Sequence, residues 1–279
     1  MHVKVHPTAV VHPKAELDSG VEVGPYCVIG ADVRVGASTV FHNHVTVQGP
    51  SEIGAENVIY PFTVLGAEPQ DLKFKGYETS LVIGDRNKIR EHVTVHRGTE
   101  FGGGKTVIGN DCLLMVGTHV AHDCVIEDEV VIANGCMIGG HCLIESGATL
   151  GGGAGIHHFA TVGSLSFVGG MARIVKDVPP YLVVEGNPAE VRKVNTTALM
   201  RRRWRVDEIE RMRSAFKAIY RNPEASIQTT IYQLRADPGQ TRAVRRLCDF
   251  LERVQEGVHG RHLEVTRDGN SPRHGASAN

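Results

Sequence analysis

The sequence predicts a parallel β-helix followed by a smaller α-helical domain, and two observations carry this prediction. Large apolar residues recur at every sixth position along most of the chain up to Ile174, which is typical of hexapeptide-repeat solenoids. After about residue 189 the apolar spacing becomes helical. The composition agrees, because 32 glycines against 8 Phe, 6 Tyr and 1 Trp suit closely stacked backbone better than a core of large rings.

The six-residue period defines a first domain over residues 1–189. Each short strand with its bend forms one side of a coil, so three sides of six residues complete one turn. The in-phase side chains are expected to point inward and to stack on their counterparts in coils about 4.8 Å away. The in-phase positions are Val5, Val11, Leu17, Val23, Ile29, Val35, Phe41, Val47, Ile53, Ile59, Leu65, Ile83, Ile89, Val95, Ile108, Leu114, Val120, Ile126, Ile132, Ile138, Ile144, Leu150, Ile156, Val162, Val168 and Ile174.

The period is interrupted over residues 66–82, and over residues 96–107 it is displaced by one position. Interruptions of a solenoid form loops, and loops often carry function. The first loop contains Asp71, Lys73 and Lys75, and the second contains Arg97 and a run of three glycines. Both loops are therefore predicted to bind a ligand.

A second domain of two or three helices is predicted over residues 190–256. Residues 190–279 carry 18 basic and 11 acidic side chains although the whole chain has a net charge of −1, so this end is basic and suits an acidic partner. Residues 257–279, rich in Gly, Ser, Arg and His, are predicted to form a flexible tail.

Several classes of protein are disfavoured by the sequence. It has no apolar run long enough to span a membrane and no basic leader before an apolar stretch, so a cytoplasmic location is expected. Its six cysteines form no C-x-x-C pair, and five of them follow the small-residue phase of the repeat, which predicts buried, reduced thiols without chemistry.

The coil length predicts which polar residues meet. On successive coils His122, Gly140 and His158 share one column, while His96, Ala121, Gly139 and His157 share the next, with His119 and His141 close by. An imidazole that titrates near neutral pH can take the proton of an attacking hydroxyl, and the exposed N–H of a glycine can stabilise the resulting oxyanion. Three imidazoles also suit zinc, so a metal site stays open at this point.

Sequence runs around these residues carry a family resemblance. The chain resembles the UDP-N-acetylglucosamine O-acyltransferases of lipid A biosynthesis over about residues 1–255. The matching runs are QDLKF (70–74), IGDRNKIREHVTVHRGT (83–99), LLM (113–115), HVAHDC (119–124), GGH (139–141), IHHF (156–159) and DVPPYLVVEGNPA (177–189).

The resemblance implies a left-handed β-helix, a homotrimer with active sites between neighbouring prisms, and no metal or cofactor. It implies transfer of a 3-hydroxyacyl chain from acyl carrier protein to the 3-hydroxyl of UDP-N-acetylglucosamine, the first step of lipid A biosynthesis. The resemblance further implies that the protein binds no nucleic acid and has no membrane span. In such a trimer, the first-loop residues are implied to serve the histidines of the adjacent subunit.

The resemblance also assigns roles. His122 is implied to be the general base, Asp123 to support it, and Gly140 to donate a hydrogen bond to the oxyanion. Gly170 is implied to lie at the far end of the acyl groove, where its lack of a side chain predicts a longer chain than ten carbons. Residues implied to hold the nucleotide sugar or the acyl chain are Asp71, Lys73, His119, His141, His157, His158, Asn195 and Arg201, the last two of them at the uridine diphosphate.

Two positions depart from the family pattern. His158 stands where enterobacterial members have Gln, and Thr197 replaces a Glu in the nucleotide region. Both departures concern affinity and substrate detail rather than the class of reaction, because neither residue is the implied base.

Three other functions remain open from the sequence. One is N-acyltransfer, either to a 3-amino analogue of the sugar nucleotide or to a later, already acylated sugar; against the latter, the repeats begin by Val5, without the extra amino-terminal domain of those enzymes. Another is a zinc lyase of the carbonic anhydrase type. The third is a non-catalytic trimer that keeps the fold.

Overall fold

The computed structural model describes residues 2–222 and 224–267, and the described chain forms a left-handed parallel β-helix followed by α-helices. The predicted fold class is confirmed. Three sheets form the three faces of the prism. The first face contains, in order, Lys4–Val5, Glu22–Val23, Val40–Phe41, Val58–Ile59, Lys88–Ile89, Leu113–Leu114, Val131–Ile132, Thr149–Leu150, Phe167–Val168, Leu182–Gly186 and Ala189–Val194.

The other two faces are built in the same way from very short strands. The second face contains Val10–Val11, Val28–Ile29, Thr46–Val47, Val64–Ala67, Thr94–His96, His119–Val120, Met137–Ile138, Gly155–Ile156 and Arg173–Ile174. The third face contains Glu16–Leu17, Val33–Val35, Ser51–Ile53, Ser80–Ile83, Lys105–Ile108, Val125–Ile126, Leu143–Ile144 and Thr161–Val162.

The strand register shows how the loops enter the coils. Val125 pairs with Leu143, and Leu143 pairs with Thr161, so an uninterrupted coil advances the chain by the predicted period. Thr94 instead pairs with His119, 25 residues on, because the second loop is inserted between them. The coils therefore remain stacked in register while each loop projects from a corner.

The interior is a continuous aliphatic core, as the inward period predicts. The largest fully buried side chains include Ile59, Leu65, Ile89 and Leu114, and burying each such side chain stabilises the fold by about 1.5–3 kcal/mol. All six cysteines are buried and free. Burial raises the pKa of the Cys112 thiol to about 11, which keeps it protonated at neutral pH.

Sharp corners join the strands, and one corner column matters for the site. Asp123, His141 and Phe159 occupy equivalent corner positions with left-handed backbone, at φ values of 60°, 61° and 63°. Asp and His tolerate this conformation better than most residues, whereas Phe must be held there by its surroundings. The corners carry hydrogen bonds from His141 N to His122 O and from Phe159 N to Gly140 O, both 3.0 Å long, which fix consecutive coils to each other.

The helical region begins directly after the last strand pair. Its helices are α1 (Thr196–Arg201), α2 (Val206–Tyr220), α3 (Ile227–Ala236) and α4 (Arg242–Glu256). Asn195, Ser226 and Thr241 cap α1, α3 and α4 by accepting a hydrogen bond from a first-turn backbone N–H. The strand Ala189–Val194 crosses the predicted boundary at residue 189, and the division into domains stays our proposal.

The chain beyond α4 differs from the predicted flexible tail. Residues 257–267 return to the β-helix and end in a 3₁₀ helix over His262–Thr266, because buried polar side chains anchor them there. The rest of the predicted tail, residues 268–279, lies outside the described residues. In the described part of the chain, every helix is too short or too polar to cross a lipid bilayer.

Candidate functional site

The histidine and aspartate of the HVAHDC run form a hydrogen-bonded pair at one corner. The strand His119–Val120 ends just before this corner, so His122 and Asp123 stand where the chain turns. His122 Nδ1 lies 2.7 Å from Asp123 Oδ2. Because an ionised carboxylate can only accept, this geometry assigns the proton to Nδ1 and leaves Nε2 as an acceptor.

The second loop encloses the aspartate of this pair. Thr99 N donates to Asp123 Oδ1 at 2.7 Å, and Thr99 Oγ1 donates to Oδ2 at 2.6 Å. A Cβ atom on Gly102 would lie 1.9 Å from Asp123 Cγ, so glycine is required for the loop to approach so closely. The Asp123 side chain is fully buried, and these hydrogen bonds stabilise its charge in place of water.

Gly140 lies on the next coil, directly beside the His122 ring. A Cβ atom at this position would lie 2.6 Å from His122 Cε1, so a side chain here would displace the imidazole. Among the described residues, no group accepts a hydrogen bond from the Gly140 N–H. This N–H is therefore free to donate to a substrate oxygen next to the imidazole.

Two cavities meet at His122 and Gly140, which line both of them. The first cavity has a volume of about 680 Å³ and combines the apolar side chains Phe101, Val125 and Leu143 with charged groups. The predicted site residues that line it are Asp71, Lys73, His122, Asp123, Gly140, His141 and His158. The first loop thus lies against the cavity of its own chain.

The second cavity has a volume of about 450 Å³, and four histidines line it together with apolar residues. His119 and His157 line it together with His96 and Arg173. The His96 and His119 rings meet edge to face with centroids 4.8 Å apart, and His119 Nδ1 lies 2.7 Å from Thr94 Oγ1. The two cavities together can therefore admit two substrates to one imidazole.

Burial keeps several of these histidines neutral. Desolvation, followed by repulsion from nearby imidazoles, lowers the pKa of His96 to about 4. Desolvation also lowers the pKa of His119 and His141, and with the neighbouring His157 and Arg267 it lowers the pKa of His158 to about 4. At neutral pH these rings can thus donate and accept hydrogen bonds without carrying a charge.

Three predicted site residues line neither cavity. The Asn195 side chain accepts from Ala198 N and donates to Leu165 O, which engages it in capping α1. Arg201 lies exposed in the last turn of α1, and Gly170 lies at an exposed corner beside Gly152. The single chain does not bring these residues to His122.

One group of side chains in the site could also hold a cation. A ring nitrogen from His122, another from His141 and a carboxylate oxygen from Asp123 all lie within 4.8 Å of one another. His141 Nδ1 itself lies 3.7 Å from Asp123 Oδ2. The geometry of these three side chains does not by itself separate a proton-transfer site from a metal site.

Several lining residues were missed by the sequence reasoning. Thr99 lies at the end of a quoted run, but nothing in its spacing indicated a contact with Asp123. Phe159 and Phe101 were likewise not assigned, although Phe159 stacks on His141 with ring centroids 4.4 Å apart. The residues farthest along the chain are Leu263, Thr266 and Arg267, which line the first cavity from the segment predicted to be a flexible tail.

Comparison with models of known families gives two matches. The model of a family described as UDP N-acetylglucosamine O-acyltransferase, domain 2, matches residues 177–259. The model of the bacterial transferase hexapeptide, with six repeats, matches residues 105–140.

Solved structures with similar sequences cover nearly the whole chain. LpxA from Acinetobacter baumannii is 42% identical, with 88% of this chain and 95% of that chain covered and a TM-score of 0.84. UDP-N-acetylglucosamine O-acyltransferase (LpxA) from Moraxella catarrhalis is 38% identical, with coverages of 88% and 95% and a TM-score of 0.85. LpxA from Bacteroides fragilis, a UDP-N-acetylglucosamine acyltransferase, is 34% identical, with coverages of 88% and 96% and a TM-score of 0.86.

Proposed function

This chain belongs to the UDP-N-acetylglucosamine O-acyltransferase family, and we propose that it transfers a 3-hydroxyacyl chain to the 3-hydroxyl of UDP-N-acetylglucosamine. The proposed donor is the thioester of acyl carrier protein, and the proposed place of the reaction is the first step of lipid A biosynthesis. The observation that carries this proposal is that two cavities meet at His122 and Gly140. A transfer between two large substrates needs such a junction.

The proposed chemistry starts at His122 Nε2. This nitrogen takes the proton of the sugar hydroxyl as its oxygen attacks the thioester carbonyl, and Asp123 stabilises the imidazolium that forms. The Gly140 N–H donates to the carbonyl oxygen as it becomes an oxyanion. When the tetrahedral intermediate collapses, the C–S bond breaks and His122 returns the proton to the departing thiolate, which restores the neutral imidazole.

Substrate binding is proposed to involve more than one copy of the chain. Asp71, Lys73, His141 and His158 line the first cavity, and His119 and His157 line the second, so these residues can hold the sugar nucleotide and the acyl chain. Asn195 and Arg201 line neither cavity in the single chain. A homotrimer that brings them from a neighbouring copy to the uridine diphosphate is therefore part of the proposal, as is a cytoplasmic location.

The decisive experiment is mass spectrometry of the products formed by the purified protein. We expect UDP-N-acetylglucosamine and a panel of 3-hydroxyacyl carrier proteins to give a mono-acylated sugar nucleotide that His122→Ala does not form. A parallel reaction with a chelator tests the cation geometry of His122, Asp123 and His141, and loss of product there would contradict the metal-free mechanism. If product forms solely with a 3-amino sugar nucleotide, that nucleotide is the acceptor and UDP-N-acetylglucosamine is not.

The same reactions measure the acyl chain length. Gly170 stands at a corner where an added Cβ would lie 3.3 Å from Gly152 O, and it presents no side chain to an acyl chain. We propose a chain longer than ten carbons, and equal or higher turnover with a ten-carbon donor would contradict this.

A further inference from the structure

The chain beyond α4 forms an ordered strap against the active-site corner. The strap consists of Arg261–Arg267, and it begins just after the family match ends at residue 259. Arg261 and Glu264 within it are buried. The strap is therefore a part of the folded protein that the family match does not account for.

Buried polar side chains anchor the strap to the β-helix. Asp177 Oδ2 accepts hydrogen bonds from His262 N and from His262 Nδ1, both at 2.8 Å, while its other oxygen accepts from Thr161 N at 2.7 Å. Arg261 donates to Val175 O and, through Nε, to Glu264 Oε2 at 2.8 Å. Such buried, charge-assisted contacts hold one conformation of a segment.

The anchored strap forms one wall of the first cavity through Leu263, Thr266 and Arg267. The Arg267 guanidinium lies over the Phe159 ring, 4.8 Å from its centroid, and Nη1 lies 2.8 Å from Glu264 Oε1. Its side chain remains 38% exposed. The contacts with Phe159 and Glu264 thus position the guanidinium, which remains accessible to a molecule in the cavity.

The local charges leave this wall positive. Glu264 is shared between two guanidinium groups, those of Arg261 and Arg267, so one carboxylate faces two cations. Among the described residues that line this cavity, Lys73 and Arg267 are the two Lys or Arg side chains. Desolvation, then the neighbouring His157 and the positive charge of Arg267, lower the pKa of His158, so the guanidinium lies within electrostatic range of a side chain that lines the cavity.

We propose that Arg267 binds a phosphate group of one of the two substrates, and that the strap is a substrate-binding element. This inference rests on the proposed function. Both proposed substrates carry such a group, because UDP-N-acetylglucosamine has a diphosphate and the carrier protein holds its acyl chain on a phosphopantetheine arm. Guanidinium matches phosphate oxygens in a two-pronged geometry that a point charge does not reproduce.

The test compares Arg267→Ala and Arg267→Lys with the wild type and with Arg245→Ala. Arg245 is an exposed arginine of α4 outside both cavities, so its removal makes the same change in net charge. We expect Arg267→Ala to raise the KM of one substrate at least tenfold, Arg267→Lys to recover part of this loss, and Arg245→Ala to change either KM less than twofold. Thermal unfolding of each variant shows that the fold is retained.

Two arms of the assay identify the phosphate. If it belongs to the acceptor, the KM for UDP-N-acetylglucosamine rises and the KM for the donor does not. If it belongs to the donor, the KM for the acyl carrier protein rises, and the defect disappears with 3-hydroxyacyl pantetheine, which lacks the phosphate. If the wild type is active and Arg267→Ala leaves both KM values unchanged, whatever happens to kcat, the inference about Arg267 is overturned and the proposed function stands. An inactive wild type overturns the proposed function as well.

Discussion

Two columns of rings stand at corners of the same prism, and they differ in what surrounds them. In the amino-terminal column neighbouring rings lie 5.0, 5.0 and 5.1 Å apart and nearly parallel. Its members are Tyr26, His44, Phe62 and His92. In the active-site column His141 stacks on Phe159 in the same manner, with an interplanar angle of 5°. Members of both columns have the same left-handed corner backbone.

The difference between the columns lies in their covering. The rings of the amino-terminal column are exposed to solvent in the described part of the chain. The active-site corner instead carries Asp123 with the second loop against it, and the strap forms a wall nearby. A histidine column is therefore a product of the repeat itself, whereas His122 differs by its buried carboxylate partner and the adjoining cavity, and on this difference we base the proposal that it acts as the general base.

Removing one imidazole from each corner tests whether the two corners differ in function. We expect His122→Ala to lower kcat by about 10³-fold or more, because it removes the proton acceptor together with the ring that Asp123 supports. His44→Ala is the matched control, since His44 belongs to the amino-terminal column. It should keep kcat within twofold and lose about 1 kcal/mol of stability through its ring contacts. Steady-state kinetics with the carrier-protein donor measures both.

A loss of activity in His44→Ala comparable to that in His122→Ala would contradict this contrast. It would mean that the amino-terminal column takes part in the reaction or in an assembly that the reaction needs. Sedimentation of the same two variants separates these two explanations.

A second pair of variants adds one methyl group to a glycine at each of two corners. Gly140→Ala should lower kcat by about 10²-fold, because the new Cβ would lie 2.6 Å from His122 Cε1 and would displace the ring from the oxyanion donor. Gly152→Ala is the matched control, because its nearest neighbour would be Asn134 O at 3.4 Å. Equal activities of the two variants would remove the proposed role of Gly140.

The repeat explains why the fold was predictable from the sequence. A large apolar residue at every sixth position determines which side chains point inward, and the coil length then determines which corner residues are neighbours. The spacing predicts that Gly140 lies beside His122, and the backbone of Gly140 does lie against that ring. Their chemical roles stay predictions.

The contacts of irregular segments could not be derived in this way. Thr99 reaches Asp123 through a loop whose path has no period, and Arg267 reaches the cavity because Asp177 and Glu264 anchor the strap. A composition rich in Gly, Ser and Arg indicates flexibility when the residues are averaged, but a few buried ion pairs are enough to order part of such a segment.

The contact between Thr99 of the second loop and Asp123 can be tested by a substitution with a smaller expected effect on kcat. Thr99→Val removes the hydroxyl that donates to Asp123 Oδ2, and we expect kcat to fall by about tenfold while Thr99→Ser retains activity. Thr63→Val is the control, because Thr63 Oγ1 donates to Arg90 O at 2.9 Å in the same buried setting but away from the site. Both valine variants should lose about 1 kcal/mol of stability. If Thr99→Val keeps full kcat, the loop merely covers Asp123 and does not position it.

The smallest expected effect concerns pH and contrasts His96 with His92. His96 is 6% exposed, and burial lowers its pKa to about 4, against about 6.5 for an unfolded histidine. Between these two values the unfolded chain binds a proton that the folded chain does not, so stability falls as the pH drops from 6.5 toward 4. The cost attributable to His96 is about 1–2 kcal/mol at pH 5.

Replacing His96 with leucine should therefore flatten the decline in stability across this range. His92→Leu, a change in the exposed column, should leave the slope as it is in the wild type. Denaturant unfolding at pH 7.5, 6, 5 and about 4.5 gives the slopes. Parallel curves for the two variants would show that the His96 ring is protonated in the folded protein, and the second cavity would then carry a charge that its burial argues against.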